Sequence, residues 1–121
     1  MIRLRGPILA LTALMLTSSA SAAQFACSIN PTVTLGMMSN GLVTVTVNNN
    51  ALQVICSTDQ TMYGITPGVC TAWYSTLLTW RSLNRSGTIY FDTTNAANAG
   101  FTSCTQAQPW QTHIPYFIEG N

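Results

Sequence analysis

The chain has 121 residues, of which only 6% are charged, with a net charge of +1. A surface so poor in cations cannot collect phosphates by counterion release, which excludes nucleic acid as an expected partner. The four basic residues are all arginine and none is lysine, so solubility rests on Thr, Ser, Asn and Gln. Many Thr and Val residues with few charges mark chains that assemble side by side through strand edges, which a lone monomer normally protects with lysine.

The N-terminus carries Arg3 and Arg5, an apolar run over residues 8–16 and then Ser18-Ser19-Ala20-Ser21-Ala22-Ala23. A basic start, an apolar stretch too short to span a bilayer and an Ala-x-Ala site have the form of a secretory signal. Residues 1–23 are therefore expected to be cleaved, the exported protein to begin at Ala23 or Gln24, and its mature form to have no membrane span. Residues 24–121 suffice for one domain, whose small core makes cross-links important. Cys27, Cys56, Cys70 and Cys104 all lie in this part, and in an oxidising compartment they are expected to form disulfides. Four cysteines allow three pairings. No close Cys-x-x-Cys or Cys/His spacing is present, so neither a metal nor another cofactor is expected.

From Thr32 onward the pattern has period two. Val33 and Leu35 alternate with threonines, as do Val43, Val45 and Val47, and Leu52 and Val54 follow the Asn48-Asn49-Asn50 turn. A strand is expected from Met62 to Thr66, stopped by Pro67-Gly68, and further strands over 87–91 and 112–118. The stretch 71–83, with Trp73, Tyr74, Leu77, Leu78 and Trp80, suits a short helix as well as a strand. Residues 95–100 form a turn or a short helical loop. The expected class is all-β, a sandwich with Greek-key connections.

His113 is the sole histidine, and no nucleophile motif accompanies it. Asp59, Asp92 and Glu119 are scattered carboxylates in which a glycosidase pair would have to be sought. No catalytic residue is assigned and no enzyme is expected. Trp73, Tyr74, Trp80 and Trp110 have two readings: they fill the core of a small sandwich, or they form an exposed adhesive patch. Trp73 and Tyr74, in the least strand-like segment, are the adhesive candidates.

Four motifs resemble the spore coat protein U domain, the fold of pilins in archaic chaperone/usher fimbriae. They are Cys27-Ser-Ile-Asn-Pro-Thr-Val33-Thr-Leu35-Gly36, Val54-Ile-Cys56 followed by Tyr63-Gly-Ile65-Thr-Pro-Gly68, Gly87-Thr-Ile-Tyr90-Phe91-Asp92-Thr-Thr, and Thr112-His-Ile114-Pro115-Tyr116. The resemblance spans nearly all of 24–121. It implies a disulfide-stabilised, immunoglobulin-like sandwich that lacks its last strand and exposes a hydrophobic groove. A periplasmic chaperone would fill that groove, an usher would export the subunit, and a neighbouring pilin subunit would complete it by donor-strand exchange. The family-like spacing of Cys27 and Cys56 favours their pairing and leaves Cys70 for Cys104. Each bond would close a loop of roughly 30 to 35 residues and contribute roughly 3.5 to 4 kcal/mol.

Residues 24–26 before Cys27 are too few to serve as a donor strand, and the sequence stops at Asn121 soon after the last recognisable strand. The first feature favours a terminal, tip-like subunit; the second implies either a truncated gene or a missing edge supplied by a partner. The expected function is an exported structural and adhesive subunit of a surface fimbria, passing through the periplasm to the cell surface. The alternative is a self-contained secreted β-sandwich that binds carbohydrate or protein.

Overall fold

The computed structural model describes residues 23–48 and 51–121. Most of the expected signal segment, and Asn49 and Asn50 of the asparagine turn, lie outside the described residues. The strands are β1 (Gln24–Ile29), β2 (Leu35–Met37), β3 (Leu42–Val47), β4 (Ala51–Ser57), β5 (Gly87–Asp92), β6 (Gln111–Thr112) and β7 (Pro115–Gly120), with one helix, α1 (Pro67–Ser82), between β4 and β5. The fold is mostly β, with α1 taking the helical alternative that the sequence left open for 71–83.

The seven strands form a sheet in the order β6-β4-β3-β1-β5-β7, with β2 also beside β3. Pairing is antiparallel except between β4 and β6. β1 meets β3 through one residue pair, Ile29 with Val47, whereas it runs along β5 for its whole length. The sheet is thus hinged into two halves, β2-β3-β4-β6 and β1-β5-β7. Their inner faces share one core that includes Cys27, Ile29, Val43, Val45, Val47, Ile55, Ile89 and Phe91, giving a sandwich-like arrangement.

Local chemistry explains the elements. Val43, Val45 and Val47 occupy one face of β3, as period-two alternation requires. Val43 pairs with Cys56 and Thr44 with Val54, so Ile55 is the extra residue of a bulge and joins the core. β1 begins at Gln24, earlier than the valine alternation indicated, and residues 31–33 form a turn before β2. The expected strand from Met62 to Thr66 is replaced by a single bridge between Met62 and Ile65. Tyr63 (φ 46°) and Gly64 (φ 89°) occupy the left-handed region there, which reverses the chain at once.

Pro67-Gly68 starts a helix rather than merely stopping a strand. The Thr66 hydroxyl accepts a hydrogen bond from the Val69 N–H at 3.3 Å, and Pro67 enters the first turn, where no intrahelical donor is needed. Cys70, Trp73, Tyr74, Leu77 and Trp80 then recur at helical spacing on the side packed against the core. The Trp80 indole lies over Gly87 and Gly120, which face each other across β5 and β7.

The disulfides join Cys27 to Cys104 and Cys56 to Cys70, correcting the expected pairing of Cys27 with Cys56 and Cys70 with Cys104. β3 stands between β1 and β4 in the sheet, which keeps Cys27 from Cys56. The tight turn at Tyr63-Gly64 brings the first turn of α1 straight back onto β4, so Cys56 takes Cys70. Cys104, at the start of a short 3-10 turn (Cys104–Gln106), lies over β1 and takes Cys27.

Candidate interaction surface

Trp73 and Tyr74, the expected adhesive residues, are half-buried and packed against the core. They sit on the inner side of α1 because Cys70 and Leu77, both fully buried, fix that side of the helix against β4. Trp73→Ala is therefore expected to destabilise the fold by about 3 kcal/mol, as truncation of a packed aromatic does. Chemical denaturation measures the loss; an unchanged midpoint would place the ring outside the core.

The exposed aromatics lie elsewhere. β7 ends the sheet order, and no strand lies beyond it among the described residues. Tyr90 of β5 pairs with Phe117 and Phe91 with Pro115, so Tyr116 is the extra residue of a second bulge. A bulge turns consecutive side chains away from strict alternation, and Tyr116 and Phe117 are 46% and 49% exposed. Their ring centroids lie 6.2 and 5.3 Å from that of Tyr90. The Tyr90 hydroxyl donates to Glu119 Oε2 at 2.7 Å, and this bond is the main cause raising the Tyr90 pKa above the ordinary tyrosine value.

Burial alternates along β5, placing Thr88, Tyr90 and Asp92 on the outer side. Asp92 is paired with Gln24 of β1, whose amide donates to Asp92 Oδ2 at 3.4 Å. The Thr94 hydroxyl and then its N–H, both donating to Asp92 Oδ1, hold the Asp92 carboxyl below its usual pKa. The outer face of β1-β5-β7 therefore carries a row of aromatic rings with a carboxylate on either side, Asp92 and Glu119. Glu119 is level with Thr88, four residues from Asp92 along β5, or about 13 Å. That separation is too long for a glycosidase acid/base pair. Asp59 is remote from both, in the turn after β4 where its amide N–H donates to Ser57 Oγ.

His113 belongs to a buried structural network. Gln53, fully buried in β4, donates through Nε2 to the carbonyls of Leu52 and Gln108. Its Oε1 is left to accept from His113 Nδ1–H at 2.5 Å. The imidazole stacks on Phe101 with centroids 3.8 Å apart. Asn98 closes the neighbouring loop, donating to the carbonyls of Asp92 and Ile114 and accepting from the Ile114 N–H. Ser103 bonds to Thr105 instead of approaching the imidazole.

Burial lowers the His113 pKa below the ordinary histidine value. The unfolded chain therefore binds this proton at higher pH than the native one, so the contribution of the neutral imidazole is complete above about pH 6.5. It declines as pH falls from there towards the folded pKa. Thermal midpoints measured from neutral to mildly acidic pH are expected to fall, and His113→Asn, which keeps a donor for Gln53, to flatten that slope. An identical slope in the variant would assign it to another group.

Sequence reasoning passed over Tyr90, Tyr116 and Phe117 as a surface. The available signal was Pro115 at the head of an apolar run, since proline confines a strand to an edge or its first residue. No pocket opens among the described residues, and they bring no three His, Cys, Asp or Glu side chains together as a metal site. None of the described helices is long and apolar enough to cross a membrane. No protein-family model matches the chain, and comparison with curated proteins and with solved structures finds no match.

Proposed function

We propose that the protein is an exported structural and adhesive subunit of a surface fimbria and accepts a strand from a neighbouring pilin subunit along β7. In this reading the fold is an immunoglobulin-like Greek-key sandwich without its last strand, as the resemblance to the spore coat protein U domain implies. A periplasmic chaperone occupies the edge before assembly, and an usher exports the subunit. The observation that carries the proposal is the edge of β7, which ends the sheet order with no strand beyond it among the described residues. Such an edge binds an extended segment through main-chain hydrogen bonds. Lysine, the usual protection of an open edge, is absent from the chain. The two disulfides suit an exported protein.

The test is a titration of the disulfide-bonded domain with a synthetic ten-residue peptide of alternating valine and threonine, followed by amide hydrogen exchange. Outward amides of β7 should gain protection, while a peptide with proline at alternate positions should leave them unchanged. Protection absent from β7, in a domain that stays monomeric at high concentration, would overturn strand acceptance. A second reading, a self-contained secreted β-sandwich that binds carbohydrate or protein, is favoured by a core already enclosed by seven strands and α1. That second result would support it.

A further inference from the structure

The outer face of β1-β5-β7 has a chemistry separate from the edge of β7. Tyr90, Tyr116 and Phe117 form a raised aromatic row, while Asp92 and Glu119 lie on opposite sides of Tyr90 along the strands. The strand register places no cationic side chain on this face. Anionic ligands such as uronic acids, phosphates or acidic headgroups would meet only like charge there. A partner strand would use the backbone edge rather than these rings.

We propose that this face binds a polysaccharide of aminosugars carrying free ammonium groups. The C–H faces of a pyranose match the apolar faces of Tyr116 and Phe117, which are already exposed and ordered by their contacts with Tyr90. An ammonium group on a neighbouring sugar is drawn both to the ring faces and to a carboxylate. Glu119 has one oxygen engaged by Tyr90 and the other available to such a group. Asp92 is held ionised by Thr94 at the other end of the row. The row crosses from β5 to β7 between carboxylates about 13 Å apart along the strand direction, a span that accommodates successive sugars. Gln24 adds an amide beside Asp92. The proposal supplies a ligand class for the adhesive part of the proposed function and does not require strand acceptance at β7.

The experiment is a calorimetric and NMR titration of the disulfide-bonded domain, at mildly acidic pH, with three probes. These are a β-1,4-linked glucosamine hexamer, its fully N-acetylated counterpart and an oligogalacturonate. The glucosamine hexamer should bind about tenfold more tightly than the N-acetylated one, with chemical-shift changes centred on Tyr90, Tyr116, Phe117 and Glu119. Glu119→Gln should remove that preference while leaving the weaker stacking interaction. The pair Tyr116→Ala and Phe117→Ala should weaken both neutral and cationic probes about tenfold or more with the near-ultraviolet dichroism of the core retained. No binding of the glucosamine hexamer, equal binding of the oligogalacturonate, or binding indifferent to these substitutions would overturn the proposal. The strand peptide reports on β7 edge amides alone, so failure of one reading is distinguished from failure of the other.

Discussion

Replacing Cys27 and Cys104 together by serine is expected to lower the unfolding free energy by about 4.5 kcal/mol, against about 3 kcal/mol for the pair Cys56 and Cys70. The difference follows from their sequence separations of 77 and 14, because the longer loop removes more freedom from the unfolded chain. A domain of this size commonly has a total stability of about 5–15 kcal/mol. The first double variant should therefore lie near its unfolding threshold, while the second remains folded with a lower midpoint. Denaturant titration of both variants measures this order. Non-reducing peptide mapping of the unmodified protein should recover Cys27 linked to Cys104 and Cys56 linked to Cys70; a Cys27–Cys56 peptide would overturn the topology on which the prediction rests.

Gly87→Ala is expected to cost about 3 kcal/mol or more, an overpacking penalty at the upper end of the usual range. A Cβ on Gly87 would lie 2.5 Å from both the Glu119 carbonyl oxygen and the Trp80 ring. Neither can yield freely: one belongs to the β7 backbone, and the other is a bulky ring on a helix tied to β4 by a disulfide. Trp80→Ala in the same background should recover only part of the loss, since the carbonyl remains in the way. Hydrogen exchange should show the damage first at the pairing of β5 with β7. A variant with the parent midpoint and unchanged β7 protection would show that the indole does not occupy this slot.

The alternating valines of β3 and the Gly87–Asp92 strand were legible because period-two patterning records which side of a strand meets the core, whereas the single strand expected over 112–118 divides into the end of β6 and most of β7, at opposite ends of the sheet order. Scarce charge, the absence of lysine and four cysteines likewise limited the partners and favoured an oxidising setting without reference to any contact. The helix was half legible. Thr66-Pro67 carried its start and the 70-73-74-77-80 spacing its inner side, but a short aromatic-rich run satisfies strand and helix patterns alike.

The cysteine pairing, the burial or exposure of the aromatics and the role of His113 were decided by tertiary structure. Each depends on residues far apart in sequence: β3 inserted between Cys27 and Cys56, a turn that returns Cys70 to β4, and Gln53 meeting His113 across 60 positions. Trp73 and Tyr74 pack half-buried against the core because a disulfide sets the rotation of α1, whereas Tyr116 and Phe117 are exposed because a bulge opposite Tyr90 turns them outward. Local sequence determines which side chains share a face. Only the packing of one element against another determines whether that face is covered.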